Sequence, residues 1–385
     1  MKNILFVHQS ADLYGSDKVL FDLVTSLDKK KFHPILLLPS KGPLLNKLLN
    51  NNIETYVVKL TRLSRATLSV KGIITLPFDI LKSLRMFNQI LKNRRIDIVH
   101  SNTLATLTGA FWAKCNKVPH LWHVHEMISR PRIVLWGYLF LLYFFADYIV
   151  CNSHATRKLL TDNQSFLIPK SYVIWNGLKQ SEKIDNEKVN KLRRSLHLGE
   201  KDLLIVLMGR INGWKGQPLF IDAANKLWKK GLRNIHFLMV GSPPIGQDHF
   251  KKKLEKIIEE SPAKSKITLW DFSTDIWGIW HSCDIAVVPS TEPEPFGMVA
   301  IEAMAAGKAV IGASHGGLTE IIKNNITGIL FEPGNSNDLA AAIFFLVKNP
   351  YKRIEFGENG QKRQQSIFAL KKYIQSFENI YSIIR

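Results

Sequence analysis

The chain has 385 residues, 46% of them hydrophobic, with 52 Lys or Arg against 32 Asp or Glu and a formal charge of +20. That length suits two domains rather than one core, and the ordinary apolar and aromatic content excludes a disordered chain. Three dispersed cysteines (Cys115, Cys151, Cys283) with no Cys-x-x-Cys pair exclude a disulfide framework and a cysteine-rich zinc site, and suit a reducing compartment.

Lys2 before Ile4-Leu5-Phe6-Val7 imitates a signal peptide, but the apolar run stops at His8-Gln9, so a first strand is expected at Ile4–His8. Further strands are expected at His33–Leu38, Thr55–Lys59, Ile96–His100, His120–Val124, Tyr148–Asn152 and Tyr172–Trp175. Helices are expected between them at Asp17–Leu27, Pro77–Leu91 and His154–Leu160. Between Lys59 and Arg95 stand nine Lys or Arg and a single acid, Asp79. No helix-turn-helix, RNA-recognition or zinc-finger signature accompanies this patch, so an anionic membrane surface is the expected partner and nucleic acid is not. The aromatic-rich stretch Ile133–Phe145 falls short of the roughly 20 residues that span a bilayer. A buried helix is expected there, with partial insertion into a membrane interface as the alternative.

A polar segment, Gln180 to Glu200, carries no strong strand signal, after which the alternation restarts. Strands are expected at Leu203–Met208, His236–Val240, Ile267–Trp270, Ile285–Pro289, Ala309–Gly312 and Gly328–Phe331. From Phe368 to Arg385, Leu370, Tyr373, Ile374, Phe377, Ile380, Tyr381 and Ile384 recur at helical spacing. Strands alternating with helices predict an α/β chain of two doubly wound parallel sheets joined near residue 180. Ligands of such sheets lie beyond the carboxyl ends of the strands, so chemistry is expected in a cleft between the domains.

The richest motif runs from Pro289 through Glu294, Pro295, Phe296, Gly297, Met298 and Val299 to Glu302 and Gly307. A strand should end at Pro289 and a helix begin near Gly297. The open N–H groups of a first helical turn and the helix dipole together suit a phosphate. Glu302 lies one turn beyond Met298, where a carboxylate can accept from ribose hydroxyls; a capped helix with acids suited to its dipole is the plainer alternative. Upstream, Gly209-Arg210 and Lys215-Gly216 place two cations just after a strand, a metal-free way to stabilise a departing diphosphate. The spacing is not that of a Walker loop.

The Glu-x₇-Glu pattern ending in Glu-Ala-Met-Ala-Ala-Gly, with Gly-Arg and Lys-Gly upstream, resembles the retaining glycosyltransferases of GT-B fold, closest to family 4 (glycosyl transferases group 1). The resemblance implies two facing Rossmann-like domains. The first, 1–178, would bind the acceptor and the second, 179–365, the nucleotide sugar, while a C-terminal helix, 366–385, crosses back to the first domain. It implies Glu302 on the ribose and Glu294 toward the donor sugar, with Phe296, Gly297, Met298 and Val299 around sugar and phosphates. Gly209, Arg210 and Lys215 would meet the diphosphate. Ser314 to Glu320 resembles the family's glycine pair beside the diphosphate. Phe272 sits where the family has an aromatic residue near the base, although Asp271 departs from the pattern.

In the first domain, Tyr14-Gly15-Ser16 resembles the family's glycine-rich loop with one glycine in place of two. His125, followed by Glu126, aligns with the family histidine near the donor sugar. His123 and His125 are expected on opposite faces of their strand, which argues against a metal pair. Asn152-Ser153 and Asn176-Gly177 are expected to scaffold the cleft. Implied in turn are a UDP- or GDP-linked sugar donor, retention at the anomeric carbon and no metal, in keeping with the lack of an Asp-x-Asp motif. A lipid-linked or surface-polysaccharide acceptor at the inner face of the membrane, in the cytoplasm, fits the basic first domain. A sugar-nucleotide epimerase of the same fold and a non-catalytic sugar-nucleotide-binding protein are the alternatives.

Overall fold

The computed structural model describes residues 1–61 and 70–385, with only the backbone for 70–73. Arg62, Arg65 and the side chain of Lys71, three cations of the Lys59–Arg95 patch, therefore lie outside the described residues. The chain divides into two compact units, residues Met1–Gly177 with Leu370–Arg385, and residues Leu178–Ala369.

In chain order the first unit runs β1 (Lys2–His8), α1 (Gly15–Ser26), β2 (Phe32–Leu38), α2 (Pro43–Asn50), β3 (Glu54–Val57), α3 (Val70–Ile90) and β4 (Ile98–Asn102). It continues with α4 (Leu107–Asn116), β5 (His120–Val124), α5 (Arg132–Phe145), β6 (Tyr148–Cys151), α6 (His154–Asn163) and β7 (Ser171–Val173). The second unit holds α7 (Asn186–Ser195), β8 (Leu203–Met208), α8 (Gln217–Lys229), β9 (Ile235–Val240), α9 (His249–Glu259), β10 (Ile267–Trp270), α10 (Ile276–Ser282) and β11 (Ile285–Val288). There follow α11 (Met298–Ala305), β12 (Ala309–Ala313), α12 (Leu318–Ile321), β13 (Gly328–Phe331), α13 (Ser336–Lys348) and α14 (Pro350–Ile367), and α15 (Leu370–Ile383) belongs to the first unit.

Both sheets are parallel throughout, ordered β3-β2-β1-β4-β5-β6-β7 and β10-β9-β8-β11-β12-β13. Their central strands are buried on both faces (Ile4 to Val7, Leu204 to Leu207 and Ile285 to Val288 are all nearly inaccessible), which is why they read as continuous apolar runs. The strand order reverses direction between β1 and β4 in one sheet and between β8 and β11 in the other, the positions where doubly wound sheets open a crevice beyond their strand ends. Both units are thus Rossmann-like.

Strands expected at His120–Val124, Leu203–Met208, Ile267–Trp270 and Gly328–Phe331 have those limits, and the others shift by one or two residues. Three elements differ more. The helix expected to open at Pro77 begins at Val70 and carries Pro77 inside it. The polar segment from Gln180 contains α7, started by Asp185, whose side chain accepts from the N–H groups of Glu187 and Lys188. α5 is not a buried helix: Leu135, Tyr138, Leu139 and Leu142 face the core, while Ile133, Trp136, Phe140, Tyr143 and Phe144 are exposed.

Candidate functional site

In the second unit, the loop leaving β8 is built to present one lysine. Gly209 N–H donates to Val240 O at 2.9 Å, and the carbonyl of Arg210 accepts from Gln217 Nε2 at 2.8 Å, which holds the first residues past the strand. Asn212 Oδ1 then accepts from the N–H groups of Trp214 (3.1 Å) and Lys215 (3.0 Å), closing a tight side-chain turn. The Lys215 ammonium lies 4.2 Å from the centre of the Trp214 ring and donates to Glu294 Oε1 at 2.5 Å. Thr291 N–H donates to Trp214 O at 2.8 Å, tying this loop to the one after β11.

Glu294 is 4% exposed, and its Oε1 also accepts from Ser290 Oγ at 2.6 Å. A buried carboxylate is tolerable here because a cation and a hydroxyl both meet it. The Gly316-Gly317 pair supports the same loop from below. Gly317 N–H donates to Glu294 O at 2.7 Å, and a Cβ on Gly316, whose φ is +58°, would stand 2.4 Å from that oxygen. The pair thus packs against the backbone of Glu294, Pro295 and Phe296. Gly297 (φ +118°) turns the chain into α11, an angle that side-chain-bearing residues rarely adopt.

Met298 and Val299 form the partly exposed first turn of α11. Phe296 is 2% exposed, and its ring packs edge-on to Phe368 with centroids 5.8 Å apart. Glu302 is buried and accepts from Trp280 Nε1 at 3.4 Å. Phe272, 41% exposed, follows the edge strand β10, with β9 and β8 between that strand and β11; its N–H donates to Ser242 Oγ at 3.0 Å. Asp271, beside it, accepts from Lys251 Nζ at 2.6 Å.

In the first unit Gly15 opens α1, and two residues later Asp17 is 1% exposed. Asp17 Oδ1 accepts from His8 Nε2 (2.6 Å) and Ser10 Oγ (2.8 Å), while Oδ2 accepts from the N–H of Tyr14 (2.8 Å). Burial by itself would raise this carboxyl, but the bonds from His8, Ser10 and Tyr14 outweigh that and hold it below the usual range. His8 Nδ1 meets Asn102 Nδ2 at 3.0 Å, and Asn102 Oδ1 meets His125 Nε2 at 3.0 Å. Burial pushes His125 down to about 3. Burial pushes Glu126 up to about 7, against its bonds from the N–H groups of Leu104 and His125.

The expectation that His123 and His125 point apart is overturned. Residues two apart on an extended chain share a face, and the two rings stand 3.9 Å apart between centroids. Among the described residues no group of three His, Cys, Asp or Glu is placed to hold a metal ion. The structure thus joins Lys215 to Glu294 in one unit and His125 to Asp17, through His8 and Asn102, in the other. Asn212, Ser290, Trp280, His8, Asp17 and Asn102 hold the candidate residues through hydrogen bonds and were not singled out in the sequence. A faint signal existed for one of them, since Asp17 follows Tyr14 by three positions, the spacing of a carboxylate that reaches back to the start of its helix.

Comparison with known proteins gives concordant findings. The profile of the family described as Glycosyl transferases group 1 matches residues 188–363, and that of Glycosyltransferase Family 4 matches residues 14–181. An uncharacterized glycosyltransferase of Methanocaldococcus jannaschii is 26% identical over 311 residues, 78% of this chain and 80% of its own length. The N,N'-diacetylbacillosaminyl-diphospho-undecaprenol alpha-1,3-N-acetylgalactosaminyltransferase of Campylobacter jejuni is 24% identical over 326 residues, 79% of this chain and 82% of its own. Among solved structures, Anabaena HepE in complex with UDP and glucose superimposes with a TM-score of 0.85 at 24% identity, covering 99% of each chain.

Proposed function

We infer the reaction from one premise: this chain belongs to glycosyltransferase family 4, the glycosyl transferases of group 1, and has their GT-B architecture of two Rossmann-like units. The reading is transfer of a hexose-type sugar from a UDP- or GDP-linked donor to a hydroxyl acceptor, with retention at the anomeric carbon and without a metal. The observation that carries it is the Lys215–Glu294 pair with Ser290, at the carboxyl ends of the two strands where the second sheet reverses its order. A cation and a carboxylate held side by side suit the two halves of a nucleotide sugar: Lys215, with Arg210, answers the diphosphate, and Glu294 the hydroxyls of the sugar.

In this reading Glu302 takes the ribose hydroxyls, and the first turn of α11, at Gly297, Met298 and Val299, takes phosphate oxygens. Gly209 and the Phe296 backbone line the same loops, Phe272 lies toward the base, and Gly15 and His125 serve from the first unit. As the donor bond breaks, charge grows on the diphosphate, and fixed cations stabilise it most at that moment. No carboxylate of the enzyme need attack, since the departing diphosphate oxygen can take the acceptor's proton. HepE binds UDP and glucose and the Campylobacter relative acts on a diphospho-undecaprenol substrate, which supports the donor class and a lipid-linked or surface-glycan acceptor. The exposed aromatic face of α5 supports work at the inner face of a membrane.

Thermal unfolding against a panel of UDP, GDP, ADP and their sugar conjugates tests the reading. One nucleoside diphosphate at about a hundredfold above its Kd should raise the melting temperature of the second unit by about 5–10 °C. Glu302→Ala should remove most of that shift. No response to any nucleotide overturns the assignment, and conversion of a sugar nucleotide in the absence of acceptor to a different sugar nucleotide would make it an epimerase.

A further inference from the structure

With a single proton on His8, the hydrogen bonds around it run in one direction. Asp17, ionised, is an acceptor alone, so the proton between it and His8 belongs to Nε2. A neutral imidazole carries a single N–H, which leaves Nδ1 of His8 as an acceptor. Nδ1 has two neighbours on Asn102, the amide nitrogen at 3.0 Å and the backbone oxygen at 3.3 Å, and the nearer is a donor. With its amide NH₂ turned to His8, Asn102 must present Oδ1 to His125, and Oδ1 lies 3.0 Å from His125 Nε2. An oxygen there requires a proton on Nε2. His125 is left with its lone pair on Nδ1.

We propose that Asp17, His8 and Asn102 are positioning residues that lock His125 as the Nε2–H tautomer, so that its Nδ1 can receive only a hydrogen-bond donor, a hydroxyl of the donor sugar or of the acceptor. The proposal rests on the reading that His125 meets substrate. None of the three positioning side chains needs to: His8, Asp17 and Asn102 are each at most 1% exposed. They come from the ends of β1 and β4 and the first turn of α1, the elements beside the point where the first sheet reverses its order. A fixed charge at one end gives the chain a polarity that rotation of the Asn102 amide cannot reverse without breaking two bonds. The logic is that of a carboxylate fixing a histidine tautomer, extended through one further ring and one amide.

The test is nitrogen NMR of the full chain labelled with ¹⁵N-histidine, with His125→Gln identifying the His125 signals. In the wild type, Nε2 should be protonated and Nδ1 bare. A protonated Nδ1 on His125, or a His8 protonated on both nitrogens, overturns the relay. Asp17→Asn supplies an amide that can donate to His8, so the chain can reverse and His125 should shift toward the Nδ1–H form. Asn102→Leu keeps the Asp17–His8 pair but cuts the link, and should leave His125 with both tautomers populated; it serves if Asp17→Asn fails to fold. Hydrolysis of the sugar nucleotide selected by the binding panel should fall about tenfold or more in both variants, with nucleotide affinity unchanged. An unchanged His125 tautomer in both variants overturns the relay. A switched tautomer with unchanged hydrolysis leaves the relay standing and overturns the substrate contact of His125.

Discussion

Lys215 and Glu294 neutralise one another at 2.5 Å, with side chains 21% and 5% exposed. Such a pair contributes little to stability, because removing both charges from water offsets most of their attraction. In the proposed reaction its value lies in what the charges do for the nucleotide sugar. Arg210→Ala or Lys215→Ala should lower turnover by about 10²–10³, the scale for one preorganised charge-stabilising group. Lys215→Ala should also destabilise the second unit, since it strands a buried carboxylate; turnover within a few-fold of wild type would remove these cations from the mechanism. The charged members of this site were legible in the sequence because two cations after one strand and two acids around a helix start suit a nucleotide sugar, and because their spacing resembles the glycosyltransferase motif. Their partners were not. Ser290, Asn212 and Trp280 are ordinary residues whose importance is a matter of which loops the sheet brings together. The histidine pair was misread for a simpler reason: a period of two puts alternate residues on one face, as the 3.9 Å between ring centroids of His123 and His125 records.

At the scale of elements, strands were legible to within two residues because parallel sheets bury both faces and leave unbroken apolar runs. α5 shows where that signal fails. Its sequence is apolar all round, which suits a buried helix, yet only Leu135, Tyr138, Leu139 and Leu142 enter the core. The other stripe is mostly aromatic, Trp136, Phe140, Tyr143 and Phe144, with Phe166 packed on Tyr143 at 4.5 Å. Leu76 of α3 packs against the same core cluster, and α3 also exposes Ile74, Phe78 and Leu81, with Lys82 and Arg85 exposed just beyond. Aromatic rings flanked by cations match a membrane interface. Vesicles with anionic lipid should bind the chain, salt should weaken that binding, and Trp136→Ser with Phe140→Ser should reduce it about tenfold or more. Binding that ignores both salt and these substitutions would return the face to plain surface. No helix among the described residues is long and apolar enough to cross a membrane.

Across the whole molecule, the chain leaves the first unit at Gly177, builds the second, and returns at Leu370. The return is structural rather than decorative. Tyr373, Ile374, Phe377, Ile380, Tyr381 and Ile384 are all buried, matching the apolar spacing of the tail with Leu370 aside. Tyr381 Oη lies 2.6 Å from His100 Nδ1, and the Lys2 ammonium, at the other end of the chain, donates to the carbonyls of Tyr381, Ser382 and Ile384 at 2.8, 3.1 and 2.6 Å. Phe377 stacks on His100 at 5.5 Å and lies 5.0 Å from His123, so α15 floors the histidine cluster that ends in His125. At roughly 1.5–3 kcal/mol for each large apolar side chain removed from water, loss of this helix costs about 10 kcal/mol, comparable to the whole stability of a domain. Deleting residues 370–385 should therefore abolish the unfolding transition of the first unit while the second still unfolds cooperatively and still gains thermal stability from nucleoside diphosphate. A truncated chain that keeps two transitions, or that loses nucleotide binding together with the first unit, would show that the two units do not fold on the division described.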